Sequence, residues 1–133
     1  MRKHQYRGQR VDTKEWVYGY YFITPLTIEN FGIGHLGDSV KRHCISNVDG
    51  VVFAVIPDTV GEFAGRQDRN KKDAYEGDIC ETIERDIALD IRWDEAESGL
   101  RFYDNVNEVW FELNCLKVTE ITGSVHDSPE LMK

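Results

Sequence analysis

Ile87-Ala88-Leu89-Asp90-Ile91-Arg92-Trp93 is the stretch on which the fold turns. Ile87, Leu89, Ile91 and Trp93 alternate with Ala88, Asp90 and Arg92, the period of a half-buried strand. Read as a helix, the stretch places Asp90 and Asp94 on the face of Ile87, and the pattern fails. Working outward, four similar runs occupy 78–84, 100–104, 108–113 and 120–125, separated by Gly, Asn or Asp. Five short strands within about fifty residues predict a small barrel or roll, because a closed sheet has no unpaired edges. Earlier in the chain, 16–23 is aromatic and β-branched, ends at Thr24-Pro25, and reads as a strand with an irregularity at Gly19. The apolar run 51–56, ended by Pro57, predicts a strand covered on both faces. Residues 42–48 pair with it through an Asp49-Gly50 turn. No segment offers ten residues of helical periodicity, and single helical turns fit at 57–61 and 114–117.

The 133 residues suit one domain, or a domain with a subdomain, and support a core without staples. The polar stretch 65–77 reads as a connecting loop between a β-rich N-terminal subdomain, 1–64, and the C-terminal part, 78–133. Cys44, Cys80 and Cys115 lack the paired spacing of a disulfide framework or zinc knuckle, so reduced thiols are expected. No apolar run is long enough to span a bilayer. The basic start of the chain is followed by no signal-peptide core, which points to a cytoplasmic protein and no membrane partner.

The net charge of −8 opposes non-specific binding to a phosphate backbone. The charge is segregated, however. Arg2, Lys3, Arg7, Arg10 and Lys14 lie near the N-terminus, and Arg66, Arg69, Lys71 and Lys72 surround Asp68. Residues 84–112 carry nine acidic side chains against Arg85, Arg92 and Arg101. Such segregation favours head-to-tail self-association or the binding of another molecule, and solvated faces are the plainer explanation.

Several strings are tested against chemistry. Gly32-Ile33-Gly34-His35-Leu36-Gly37 has the letters of a dinucleotide fingerprint, but no apolar helical stripe follows to supply N-terminal amides. No cofactor is therefore expected. Asp68-Arg69-Asn70 fails as a calcium loop, since the sixth position is Asp73 and the twelfth Ile79. Adjacent His43 and Cys44 on a strand face opposite ways, so with His35 they do not make a convincing metal set, and no metal is expected. Ser124 and His126 share a strand face, yet Asp127-Ser128-Pro129 reads as a turn and no oxyanion loop is visible. Glu76 and Asp78 are the remaining catalytic candidates, a carboxylate pair that needs a cleft to raise one pKa. The structural alternative is a turn: Gly77 adopts a backbone closed to other residues, Asp78 bonds nearby amides, and Tyr75 anchors the loop.

Three strings in order carry a resemblance: Thr59-Val60-Gly61-Glu62-Phe63-Ala64-Gly65, Asp68-Arg69-Asn70-Lys71-Lys72 and Tyr75-Glu76-Gly77-Asp78-Ile79. Together they resemble the central signature of the YopX family of phage and prophage proteins. Tyr6-Arg7-Gly8 with Glu15-Trp16-Val17-Tyr18-Gly19 is similar to the family's beginning, and 121–131 to its terminal strand and tail. The resemblance implies a mainly β protein with an SH3-like barrel over 78–133, a tendency to homo-oligomerise, and action in a bacterial host. It supplies no catalytic residues and no assigned activity. The leading expectation is a non-enzymatic oligomeric module that binds its own copies or a host or phage protein. The second is nucleic-acid binding through Arg2, Lys3, Arg7, Arg66, Arg69, Lys71 and Lys72, with Trp16, Tyr18 and Tyr20 stacking on bases. The aromatic stripe is more simply read as core. The third is a hydrolase using Glu76 and Asp78.

Overall fold

The computed structural model describes residues 5–26, 40–82 and 87–128. The chain divides into two compact units, His4–Val60 and one that begins at Gly61. Both are built from strands, with two short 3-10 turns as the helical elements among the described residues. No helix among those residues is long and apolar enough to cross a membrane.

The first unit contains β1 (Tyr6–Gln9), β2 (Trp16–Leu26), β3 (Val40–Ser46) and β4 (Val52–Ala54), all antiparallel in the order β4-β3-β2-β1. The longest ladder joins β2 to β3, from Tyr20–Ser46 to Leu26–Val40. Strand β3 turns back into β4 at 47–50, where Gly50 supplies a positive φ of 82° and Asn47 Oδ1 accepts from the amides of Asp49 and Val51. Arg10 then bridges Val55, with the Val11 amide donating to Ala54 and the Ile56 amide to Gln9. These bonds tie the end of β1 back to the end of β4. Inside lie Ile45 and Val55, fully buried, against Gly8, where an added Cβ would sit 3.2 Å from both.

The run 51–56 is not a strand covered on both faces. Only 52–54 form β4, and Val51 and Val52 are exposed. A continuous apolar run has no period to identify its wet side, and here Val55, whose amide still donates to the His43 carbonyl of β3, also bridges Arg10.

The second unit contains β5 (Gly61–Gln67), β6 (Asp73–Tyr75), β7 (Asp78–Thr82), β8 (Ala88–Asp94), β9 (Gly99–Asp104), β10 (Val109–Phe111) and β11 (Thr119–Ser124). Residues 65–77 are therefore not simply a loop, since they include the end of β5 and all of β6. Strands β7 to β11 form an antiparallel sheet in the order β10-β9-β8-β7-β11. No closed barrel is present among the described residues, and β10 and β11 are the outer strands.

The alternation of β8 has the anticipated result on one side: Leu89 and Ile91 join Ala74, Cys80, Phe102 and Leu116 in the core. Trp93 is exposed, and Asp90, on the other face, is buried. Burial there is satisfied rather than apolar: Arg92 grips Asp90 with two bonds, Asn105 Nδ2 adds a third, and the Arg92 guanidinium lies 4.2 Å from the Tyr103 ring centre. The 3-10 turns fall at Pro57–Thr59 and Leu113–Val118, close to the two predicted single turns.

Candidate functional site

Cross-strand partners in an antiparallel ladder share a face. The registers therefore put Trp16, Tyr18, Tyr20 and Phe22 of β2 on one side with Arg7 and Gln9 of β1, Cys44 and Ser46 of β3, and Val52 of β4. Tyr20 is 69% exposed, Val52 53%, Tyr18 43% and Phe22 38%. At one margin the Arg7 side chain is buried, its guanidinium 4.2 Å from the Trp16 ring centre. Arg42 also faces this side and is exposed. None of the β1–β4 residues on this face is an Asp or Glu, although the chain has 24 of them. The face is chemically aromatic, uncharged over most of its area, and basic at its margins.

This corrects the simpler reading of the stripe as core. Alternation identifies residues that share a face, but not which face the rest of the chain covers. Here the interior side is taken by Gly8, Ile45 and Val55. The interior side also holds Tyr21, stacked on His43 with its hydroxyl hydrogen-bonded to Nδ1, while burial raises the Tyr21 pKa. His43 thus faces away from Cys44, which is buried, and His35 lies outside the described residues. The described residues contain no group of three metal-ligating side chains.

The basic stretches behave differently from each other. Arg2 and Lys3 lie outside the described residues, and Arg7 is packed rather than presented. Arg66, Arg69, Lys71 and Lys72 are all exposed around the β5–β6 turn. The turn is held by Asp68, a buried carboxylate that accepts from the amides of Asn70, Lys72 and Ile121, each at 2.9 Å. Burial alone would push its pKa up, but these three bonds and nearby Lys72 hold it below the ordinary carboxylate value. The Arg69 amide donates to Thr119, fastening the turn to β11. The sequence string that fails as a calcium loop is thus a backbone clasp.

Asp78 is buried and accepts from the Tyr75 amide at 2.8 Å, closing the turn in which Gly77 has a φ of 95°. Glu76 is half-buried, and burial raises its pKa against the opposing pull of the Glu62 amide, which donates to its carboxylate. The Glu76 carbonyl also fills the space where Gly61 would carry a Cβ, 2.5 Å away. Ser124 is buried, and its Oγ accepts from the amides of His126 and Asp127, so the hydroxyl shapes the terminal turn.

A raised pKa in Glu76 gives a signed expectation. An acid whose folded pKa exceeds its unfolded value costs stability once pH rises through the folded value. Glu76→Gln should therefore raise the urea midpoint modestly at pH 7, with the difference vanishing below about pH 4, where both forms are neutral. A lower midpoint at pH 7 would show that the carboxylate is instead favourably bound.

A family model described as YopX protein matches residues 5–133. Among solved structures, the chain is similar to the crystal structure of protein EF1440 from Enterococcus faecalis. The two share 19% identity over 100% of each chain, with a TM-score of 0.53, a likeness of fold alone. No curated protein matches. With nearly its whole length covered by the family model, the chain belongs to the YopX protein family.

Proposed function

We propose that this protein is a non-enzymatic interaction module that associates with its own copies through the aromatic face of β1–β4. The exposure of Tyr18, Tyr20, Phe22 and Val52 on one side of one sheet carries the reading. Contiguous apolar exposure of this kind marks an interface. A second copy is the favoured occupant because the whole chain is acidic and the strands of this face present no carboxylate. Like-charge repulsion between copies is therefore low there.

The C-terminal unit is read as SH3-like. The order β10-β9-β8-β7-β11, in which the last strand follows a 3-10 turn and returns to pair with the first, supports this. A phage or prophage origin and action in the bacterial cytoplasm are proposed from family membership. Enzymatic use of Glu76 and Asp78 is disfavoured because Asp78 serves the backbone of its own turn.

Sedimentation velocity tests the proposal. Wild-type protein should be oligomeric at micromolar concentration, and Tyr20→Lys and Phe22→Lys should each weaken association at least tenfold. A wild-type monomer, or an oligomer indifferent to both substitutions, would overturn it.

A second reading has one observation in its favour: Tyr18 and Tyr20 are exposed on an acid-free face that also carries Arg42, opposite Thr24 further along β2, and exposed aromatic rings of this kind suit stacking of single-stranded bases. Fluorescence anisotropy with a labelled oligonucleotide at 50 and 300 mM salt distinguishes it. Steeply salt-dependent binding lost in Tyr20→Lys would put it first, provided the protein is monomeric.

A further inference from the structure

The second unit carries 18 acidic and 9 basic residues over 61–133, and the topology sorts the exposed ones by position. Strand β7 runs from Asp78, opposite Ser124, to Thr82, opposite Thr119. The β5–β6 turn is bonded to Thr119 and Ile121, so Arg66, Arg69, Lys71 and Lys72 lie at the Thr82 end of the sheet. Strand β8 runs antiparallel to β7, which carries the β8–β9 turn, with exposed Glu95 and Glu97, to the Asp78 end. The β6–β7 turn, with Glu76 and its neighbour Glu62, lies at that end too. The β5–β6 turn, beside β11, is therefore a cationic corner at the Thr82 end and the Asp78 end is anionic, while exposed Glu108 of the β9–β10 turn lies at the Thr82 end on the far side of the sheet, by β10.

The cationic end is shaped as well as charged. Asp68 is consumed by three backbone amides, Asp73 accepts from Gln67 Nε2, and Glu120 accepts from Asn70 Nδ2. The carboxylates around the turn are thus engaged in holding it, while its four cations face solvent. Lys71 has a left-handed backbone, φ 64°, where glycine is the residue of least cost, and the chain keeps a cation there. At the opposite end Asp94 is paired with Arg101 at 2.8 Å, but Glu95 and Glu97 remain exposed.

We propose that copies of this chain make a second, head-to-tail contact, in which the cationic β5–β6 turn of one copy docks on the Glu95–Glu97 end of the next. This rests on the self-association proposed above and adds its direction. Complementary ends favour the approach and fix its orientation. A contact between two different surfaces propagates into a ring or a filament rather than stopping at a dimer. A nucleic-acid strand is the weaker partner for the same turn, because four cations neutralise few phosphates on an otherwise acidic unit.

Charge exchange tests it. In sedimentation velocity, K71E/K72E and E95K/E97K should each associate at least tenfold more weakly than wild type. Mixing the two variants should restore association, since each reversed end then meets its complement. Raising salt from 50 to 500 mM should weaken the wild-type assembly. If neither double variant changes an oligomer that Tyr20→Lys disrupts, the head-to-tail contact is wrong and the aromatic interface stands. If the wild type is monomeric at both salts, both proposals fall. If K71E/K72E abolishes oligonucleotide binding while leaving self-association unchanged, the turn serves nucleic acid instead.

Discussion

Gly19→Ala is expected to destabilise the protein by about 3 kcal/mol or more, seen as a large fall in the urea midpoint. An added Cβ would lie 2.0 Å from the Ser46 carbonyl oxygen and 2.8 Å from its carbon. Both are backbone atoms of β3 or its end, so no side chain can swing aside. The clash therefore acts on the β2–β3 ladder itself, the longest pairing in the first unit. Gly50→Ala is the control. Its φ of 82° disfavours a side chain, but nothing lies within 4 Å of the added carbon, so a cost of about 1 kcal/mol is expected. Equal effects at the two positions would show that conformational preference, not contact with β3, governs Gly19. An unchanged midpoint in Gly19→Ala would contradict the described packing outright.

Asp68→Ala should cost about 2–4 kcal/mol, because three amides lose their acceptor and only those nearest solvent recover one from water. The pH dependence has a definite sign. A carboxylate held below its ordinary pKa in the fold contributes stability that is present above about pH 4 and is lost as pH falls through the folded value. The gap between wild type and variant, measured by urea unfolding, should accordingly be widest near neutrality and narrow below pH 4. A gap that stays constant from pH 7 to pH 2 would mean that Asp68 acts by shape and not by charge. Loss of the clasp should also free the β5–β6 turn, so K71E/K72E and Asp68→Ala should weaken head-to-tail association by different routes, only the second with a fall in stability.

The strands were legible where one face is apolar and the other polar. Leu89 and Ile91 alternate with charged neighbours, and they are buried as that alternation requires. Strand β5 and β6 were hidden because Arg66 to Asp73 supplies charges where a core pattern would be sought. What makes these residues part of a hairpin is backbone pairing and the Asp68 clasp, and one of the clasped amides, that of Ile121, is 53 residues away. No local window contains it. The aromatic face was half legible: alternation grouped Trp16, Tyr18 and Tyr20, and burial then ran opposite to the apolar character of the side chains. Phe22 and Val52 were missed as members of that face. Register alone reveals them, since Val52 lies opposite Ser46, which lies opposite Tyr20. Asp78 offered the clearest signal, because an Asp directly after Gly is a turn residue before it is a catalyst.

The bridge between Arg10 and Val55 has a kinetic consequence. Forming it closes a loop of about 45 residues, whereas β8 meets β9 across a four-residue turn. The difference in chain entropy is roughly 2 kcal/mol, charged before any contact at the bridge repays it. The C-terminal hairpins therefore nucleate quickly from local sequence, and the tie between the ends of β1 and β4 is a late event in folding. The second unit has long closures of its own, in the pairing of β11 with β7 and in the Asp68–Ile121 bond across 53 residues, so in each unit the local hairpins come first and the ties between distant segments last.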